Sequence, residues 1–238
     1  MDTPTVSLGS MFDLFSADPA WMRKIGTVGA CTLIPLVGIF QTLGYGKRCY
    51  QHVQAGNSDL PEPSLGEDIG TGFKTWLLTF LNIFPAVLLL MGCWAGCSFG
   101  AAFGGAGLGA ATSGDSGEPG ALGGIVVLVG MLGGYAVLLF GALVIGVLSV
   151  DLTRHLYNDE SFPMFAPGAS FGAIKRNPGA FVMTWLGLFI ARMIGSVGVI
   201  LCYVGVLLTL PLGMALSARV LAQWDKVVKA TTPAEESF

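Results

Sequence analysis

The sequence predicts an all-α fold, a polytopic transmembrane helical bundle with about five membrane segments and a weak internal repeat. Hydrophobic residues occupy 53% of the 238 positions and charged residues only 11%, against about 25% charged in a typical soluble domain. Four stretches contain no Asp, Glu, Lys, Arg or His: residues 25–46, 75–114, 119–150 and 193–218. Each is long enough for a helix of about 20 residues to cross a bilayer, which excludes a soluble enzyme, a nucleic-acid-binding domain and a disordered chain.

These stretches, and a further apolar run after Asn177, divide the transmembrane domain (25–221) into its segments. The predicted segments are 25–46, 76–103, 123–150, 178–194 and 197–221. Asp18-Pro19 and Asn177-Pro178 are typical helix starts, because Asp or Asn caps a first turn and proline fits the first helical position. A cytoplasmic tail, 222–238, is expected to follow the last segment.

Residues 1–24 are expected to form an amphipathic N-terminal segment rather than a cleaved signal peptide, since they lack a basic start and a small-residue cleavage site. Leu8, Met11, Phe12 and Phe15 follow the i, i+3, i+4, i+7 spacing of one helix face. Such a face lies on the membrane surface or packs on the ends of the bundle, and the spacing does not choose between the two.

The basic residues indicate the orientation. With five crossings, nine of the 12 Lys and Arg residues fall on one side, and Arg23, Lys24 and Arg192 on the other. The positive-inside rule then predicts that the basic side, which carries the C-terminus, is cytoplasmic. A competing arrangement folds 25–46 as a re-entrant hairpin broken at Pro35 and Gly38, which moves Arg23 and Lys24 to the basic side.

A weak internal repeat relates two parts of the chain. Repeat 1, about 25–103, and repeat 2, about 123–194, each consist of a crossing, an amphipathic cytoplasmic loop and a return crossing, and a Gly-rich outer loop at 104–122 joins them. In this alignment His52 corresponds to His155 and Trp76 to Trp185. The two repeats are parallel, and parallel repeats are related by an axis along the membrane normal.

A run of residues near the N-terminus resembles a known family. The run comprises Asp18, Trp21 and the Lys24-Ile25-Gly26 triplet, then LIPLVG at 33–38, Gly44-Tyr45 and Leu60-Pro61-Glu62. This pattern is similar to the membrane family catalogued as domain of unknown function 4013. The resemblance is clear over roughly the first 75 residues. It implies a polytopic inner-membrane protein and assigns no catalytic or binding residue.

Glycine recurs at helical spacing inside the membrane segments. Gly92, Gly96, Gly100 and Gly104 are four residues apart, so one face of the second segment is bare and permits close approach of another helix. Shorter versions occur at Gly187, Ala191 and Gly195, and at Gly130 and Gly134. The Gly92 ladder is expected to pack inside the bundle, with a homo-oligomer interface and a pore lining as the alternatives.

Few residues are candidates for chemistry. Cys93 and Cys97 share a helix face but lack a neighbouring His or carboxylate, so we expect packing and no metal. His52 and His155 occupy matching loop positions, where a paired site or two structural histidines are both open. Arg192 is the sole charge in a long apolar stretch and is a functional candidate by default. Asn82 is a polar residue inside the second segment.

The sequence contains no motif of a metalloprotease, a P-loop or a serine hydrolase and no intramembrane carboxylate, so neither an enzyme nor a cofactor is expected. The leading interpretation is a non-catalytic structural or assembly subunit of a membrane complex or homo-oligomer. The alternative is a passive channel or transporter for a small solute. Its expected partners are the lipid bilayer and either further copies or another membrane protein, without nucleic acid.

Overall fold

The computed structural model describes residues 5–112, 121–158, 167–200 and 202–231, and within these ranges it contains helices and no β-strand. The predicted all-α fold is confirmed. Two 3-10 turns occur, at Gly9–Met11 and Cys31–Leu33. The α-helices are α1 (Leu14–Ala17), α2 (Trp21–Ala30), α3 (Pro35–Gln54), α4 (Leu65–Thr112), α5 (Ala121–Tyr157), α6 (Pro167–Arg176), α7 (Pro178–Ile200) and α8 (Cys202–Thr231).

Four helices in the described ranges are long and apolar enough to cross a membrane. Their candidate spans are Leu65–Leu108 in α4, Gly123–Tyr157 in α5, Pro178–Gly198 in α7 and Gly205–Thr231 in α8. The second, third and fourth predicted segments lie within α4, α5 and α7, whereas the fifth, 197–221, begins in the end of α7 and continues in α8. The protein is a polytopic membrane protein. Some boundaries differ, because α4 continues to Thr112 and α8 to Thr231. The Gly-rich outer loop and the tail therefore begin as helix, and 113–120 and 232–238 lie outside the described residues.

The first predicted segment, 25–46, is not one crossing helix. It is divided between α2 and α3, and the backbone at Ile34 between them is extended, with φ −105° and ψ 102°. Proline disfavours helical backbone in the residue before it and fits the first position of a new helix, so Ile34-Pro35 ends one helix and starts another. A Cβ at Gly38 would collide with Thr32, so glycine permits the tight return.

Both ends of this segment reach the same loop. The Lys24 ammonium, before the first turn, donates to the carbonyl of Leu60, and the Tyr45 hydroxyl donates to the carbonyl of Pro61 at 3.2 Å. Because one loop contacts both ends, 25–46 folds as a hairpin, as in the competing arrangement, and the described ranges contain four helices able to cross. Arg23 also pairs with Glu62 of this loop at 2.8 Å, so it lies at the same end as Lys24.

The chain divides into two compact units. In unit 1 (1–79 and 150–238), the buried core includes Tyr45, Tyr50, Leu216 and Trp224. The 3-10 turn and α1 contribute Met11 and Leu14, both fully buried, while Phe12 and Phe15 stay partly exposed. The predicted face is therefore divided, because Met11 packs in the core together with Leu14, whereas Phe12 and Phe15 of the same predicted face stay at the surface.

Unit 2 (80–149) is a hairpin of α4 and α5. A Cβ at Gly130 or Gly141 would collide with Ala101 or Leu90 of α4, and Trp94 packs against Gly134. Glycine on α5 thus provides the close approach of the two helices. The predicted internal repeat is not tested by these contacts and stays a prediction.

Candidate functional site

Six buried charges of unit 1 belong to three ion-paired groups. We name these groups the hairpin cluster (Asp18, Lys24), the cavity cluster (Asp68 with the less buried Arg48 and Glu67) and the α5–α8 cluster (Asp151, Arg154, Asp225). In the hairpin cluster, Lys24 Nζ lies 2.9 Å from Asp18 Oδ2, and both side chains are buried. Burial by itself raises the pKa of Asp18. Hydrogen bonds from Lys24 and from the backbone N–H groups of Leu60 and Ala20 outweigh burial and hold this pKa below its ordinary value of 3.8.

The cavity cluster joins α3 to the first turn of α4. Arg48 donates from Nε to Asp68 Oδ1 and from Nη2 to Glu67 Oε2, both at 2.8 Å. The other oxygen of Asp68 accepts from Gln41 Nε2 and from the Ser64 backbone N–H, each at 2.9 Å. Two carboxylates at a helix N-terminus are favoured by the helix dipole. Asp68 is therefore a fully engaged buried anion.

A cavity of about 400 Å³ adjoins this cluster. Its walls are formed by Gly44, Arg48, Gln51, Glu67, Asp68 and Thr71. Glycine at 44 is required here, because a Cβ would collide with the carbonyl of Asp68 where α3 and α4 cross. The walls offer a guanidinium, carboxylates, an amide and a hydroxyl, so the cavity can hold a small polar solute through both donors and acceptors.

The α5–α8 cluster satisfies a buried arginine completely. Arg154 donates from Nε to Asp151 at 2.8 Å and from Nη1 to Asp225 at 3.0 Å, and its Nη2 lies 2.9 Å from His155 Nε2. Asp225, which is fully buried, also accepts from Asn158 and Gln54, each at 3.0 Å, and pairs with Lys229 at 2.7 Å. This cluster links the end of α3 and the end of α5 to α8.

The two candidate histidines contact different partners. His52 Nε2 lies 3.0 Å from Asp59, and its hydrogen bond lowers the pKa of the Asp59 carboxyl. His155 instead lies 3.4 Å from Asp151 of its own helix. In the described parts of the chain, no group of three or more His, Cys, Asp or Glu residues could hold a metal ion. The two histidines thus contact different carboxylates, and the choice between a paired site and two structural histidines stays open.

Arg192 and Asn82 lie in membrane helices. Arg192 is exposed on α7, eight residues before the helix ends at Ile200, or about 12 Å at 1.5 Å per residue. If Arg192 lies at the outer tip of a hairpin, the acids that could pair with it are Asp18, Asp115 and Glu118. Asp18 pairs with Lys24 instead, and the other two acids lie in a range that the structure leaves undescribed. Asn82 is half-buried in the unit 2 part of α4.

The glycine ladders have different surroundings. Gly187, Ala191 and Gly195 of α7 pack on α8, where a Cβ at Gly213 would lie 2.7 Å from the carbonyl of Ala191. By contrast, no described atom beyond its own turns lies within 4 Å of a Cβ placed on any member of the longer α4 ladder: Gly92, Gly96, Gly100 and Gly104. Within unit 2 the α4–α5 contact uses the neighbouring Gly105 and the α5 glycines rather than this ladder. The packing of the ladder inside the bundle stays a prediction.

Sequence reasoning missed the buried ion pairs. Asp68 and Asp225 were not candidates, although each carries a local signal. Asp68 follows Glu67 in a first helical turn, and Asp225 precedes Lys229 by four residues, the spacing of a helical ion pair. The spacing within one helix does not show which residue of another helix each carboxylate contacts.

One known protein family matches most of the chain. Residues 27–204 match the family described as a protein of unknown function (DUF4013). The chain belongs to this family. The match confirms the resemblance and extends it from the N-terminal hairpin through α7. No curated protein and no solved structure matches the chain.

Proposed function

We propose that this protein is a non-catalytic membrane subunit that assembles with further copies of itself through the α4 glycine face. The face consists of Gly92, Gly96, Gly100 and Gly104, and the observation that carries the proposal is its open surroundings within the described chain. Without a hydrophobic drive in lipid, membrane helices associate where small residues let backbones approach closely. A four-residue glycine repeat on an uncovered face fits that requirement.

Two aromatic side chains beside the ladder favour a second copy as the partner. Phe99 and Phe103 are 64% and 77% exposed, and each directly precedes a ladder glycine. The two phenylalanines form a ridge and the ladder glycines form a groove beside it. This surface is self-complementary about a two-fold axis, because the ridge of each copy can enter the groove of the other. A homo-oligomer therefore needs no further surface.

The buried carboxylates support a role without catalysis. Asp18, Asp68 and Asp225 each accept several hydrogen bonds from fixed partners. Networks of this kind hold helices in place. A general base, by contrast, needs its acceptor positioned toward a substrate.

We place the protein in a bacterial inner membrane, with its C-terminus in the cytoplasm. Once residues 25–46 form a hairpin, Arg192 is the one basic residue of 12 left for the outer side in a four-crossing arrangement. This strengthens the positive-inside argument relative to five crossings. Reporter fusions at Asp115 and at the C-terminus test the proposal, and reporters in one compartment would contradict it.

Assembly is tested by native mass spectrometry of gently solubilised protein, comparing wild type with Gly96→Leu and Gly100→Leu. We expect an oligomer in wild type and a roughly tenfold weaker association in each variant, since a leucine side chain separates the backbones. Gly133→Leu on α5 is the matched control, because a Cβ there also meets nothing within 4 Å. Equal oligomer content in all four proteins, or a monomeric wild type, refutes the proposal.

The cavity beside Arg48 favours one alternative, a carrier or channel for a small polar solute. Its volume of about 400 Å³ and its mixed polar walls suit such a solute. Solute-dependent thermal stabilisation and flux into liposomes, both lost in Asp68→Asn, would support this alternative. Stoichiometric oligomers without flux would support assembly instead.

A further inference from the structure

Arg219 of α8 is a buried cation without a matching anion in the described chain. It is 6% exposed, and its Nη1 makes a single long hydrogen bond, 3.5 Å, to the carbonyl of Ser10. Nε and Nη2 are buried and have no hydrogen-bond partner. An unpaired buried charge is strongly destabilising, so its retention points to a partner from outside these residues.

The unpaired atoms lie on one edge of the guanidinium. Nε–H and one Nη2–H point in parallel and form the two-pronged donor that binds both oxygens of a carboxylate or phosphate. Arg48 uses this same edge for Asp68 and Glu67, at 2.8 Å each. The unpaired edge of Arg219 therefore has the donor geometry of an oxyanion receptor.

Comparison with Arg154 shows that the fold otherwise neutralises a buried arginine. Arg154 is 7% exposed, and all three of its guanidinium nitrogens have partners, Asp151 and Asp225 among them. The charges of Asp13 and Asp59 act on Arg219 through space. Neither of these two acids forms an ion pair with Arg219 in the described chain, and Asp59 pairs with His52.

The position of Arg219 suggests the source of the oxyanion. It is the first charge after the apolar stretch 193–218, which places it at the level of lipid headgroups. The N-terminal segment above it buries Met11 and Leu14 and leaves Phe12 and Phe15 partly exposed, as in helices that lie at the membrane interface. The phosphate of an anionic lipid is the oxyanion found at this depth.

We propose that Arg219 is a binding site for a phosphate oxyanion, which enters beneath the N-terminal segment and occupies the Nε and Nη2 edge. The shared chemistry fits an anionic phospholipid headgroup and free phosphate alike. This proposal is independent of assembly through α4, and oligomer content recorded in the same mass spectra keeps the two apart.

The test is thermal unfolding and native mass spectrometry in neutral detergent with two probes, short-chain phosphatidylglycerol and inorganic phosphate. We expect phosphatidylglycerol to raise the Tm of wild type and to bind Arg219→Gln about tenfold more weakly or worse, because charge-assisted bonds are lost. A response to inorganic phosphate alone identifies free phosphate as the source and still supports the site.

Variants separate this site from a structural arginine. Without probe, Arg219→Gln is expected to unfold at or above the wild-type Tm, since it removes an unpaired charge. Arg48→Gln is the matched control, because its edge is already occupied, and it should lower the Tm while leaving the response to the probe unchanged. Arg219→Lys keeps the charge but loses the two-pronged edge. If Arg219→Gln does not fold, the response of Arg219→Lys to the probe tests the site instead, and we expect it to be weaker than that of the wild type.

Three results would overturn the proposal. The first is a wild-type protein that responds to neither probe. The second is a response to the probe in Arg219→Gln and Arg219→Lys that equals the wild-type response. The third is a Tm that falls, without probe, in both Asp13→Asn and Arg219→Gln, which would assign the edge to a carboxylate of the chain itself.

Discussion

Asp225→Ala is expected to be among the most destabilising substitutions in unit 1. Asp225 is fully buried and accepts hydrogen bonds from Arg154, Asn158 and Gln54 at 3.0 Å each. Alanine leaves these buried donors without that acceptor, at about 1–3 kcal/mol for each unsatisfied group. Breaking a buried ion pair from one side typically costs about 3–5 kcal/mol in total. We use this range rather than the sum over all donors, because Arg154 keeps its ion pair with Asp151 in the variant.

Thermal unfolding in detergent, followed by tryptophan fluorescence, measures the effect. About 3–5 kcal/mol corresponds to a fall in Tm of roughly 6–20 °C for a chain of this size. Lys229→Ala is the control, because Lys229 pairs with the same carboxylate but its side chain is 56% exposed, and exposed ion pairs contribute about 1 kcal/mol or less. If Asp225→Ala lowers the Tm no further than Lys229→Ala, the α5–α8 cluster is not the stabilising element inferred here.

Three further outcomes are expected. Gly130→Ala should destabilise the unit 2 hairpin by about 1–3 kcal/mol through collision with Ala101, whereas Gly133→Ala, with open space around it, should not; equal Tm values in the two variants would contradict the α4–α5 contact. The folded-state pKa of Asp18 is below its ordinary value of 3.8, so its stabilisation is complete above that value and is lost as the pH falls below it. Asp18→Asn should flatten the Tm against pH below about pH 4, and an unchanged slope would argue against the Lys24 pair. Arg192→Leu should change stability by less than about 0.5 kcal/mol, since Arg192 is exposed and forms no ion pair with described residues; a larger fall in Tm would reveal a partner.

The membrane helices were predictable because the cost of placing charge in lipid is a property of local composition. The charge-free stretches 75–114 and 119–150 each lie largely in one helix able to cross, and 193–218 is divided between two such helices, α7 and α8. Local composition is sufficient for such features. It did not predict which side of the N-terminal segment is buried, because Met11 and Phe12 belong to one predicted face and only Met11 is fully buried.

Hydropathy failed at 25–46 because it counts apolar residues without showing where the chain goes. A stretch of 22 apolar residues fits one crossing and also fits a hairpin. The deciding contacts, from Lys24 to Leu60 and from Tyr45 to Pro61, join residues 36 and 16 positions apart. The Ile34-Pro35 step signalled the break, but no local signal specified that both ends meet one loop.

Glycine spacing has the same limit, and this limit bears on function. The α7 ladder and the α4 ladder both place small residues four apart, yet the former packs on α8 and the latter meets no described atom within 4 Å. Spacing thus reports that close approach is permitted, while the partner is decided by which helices the fold brings alongside. In unit 2 the contact to α5 uses Gly105 and leaves the four-glycine face unused. A face shaped for helix contact but uncovered by its own hairpin is the reason to expect assembly from this chain.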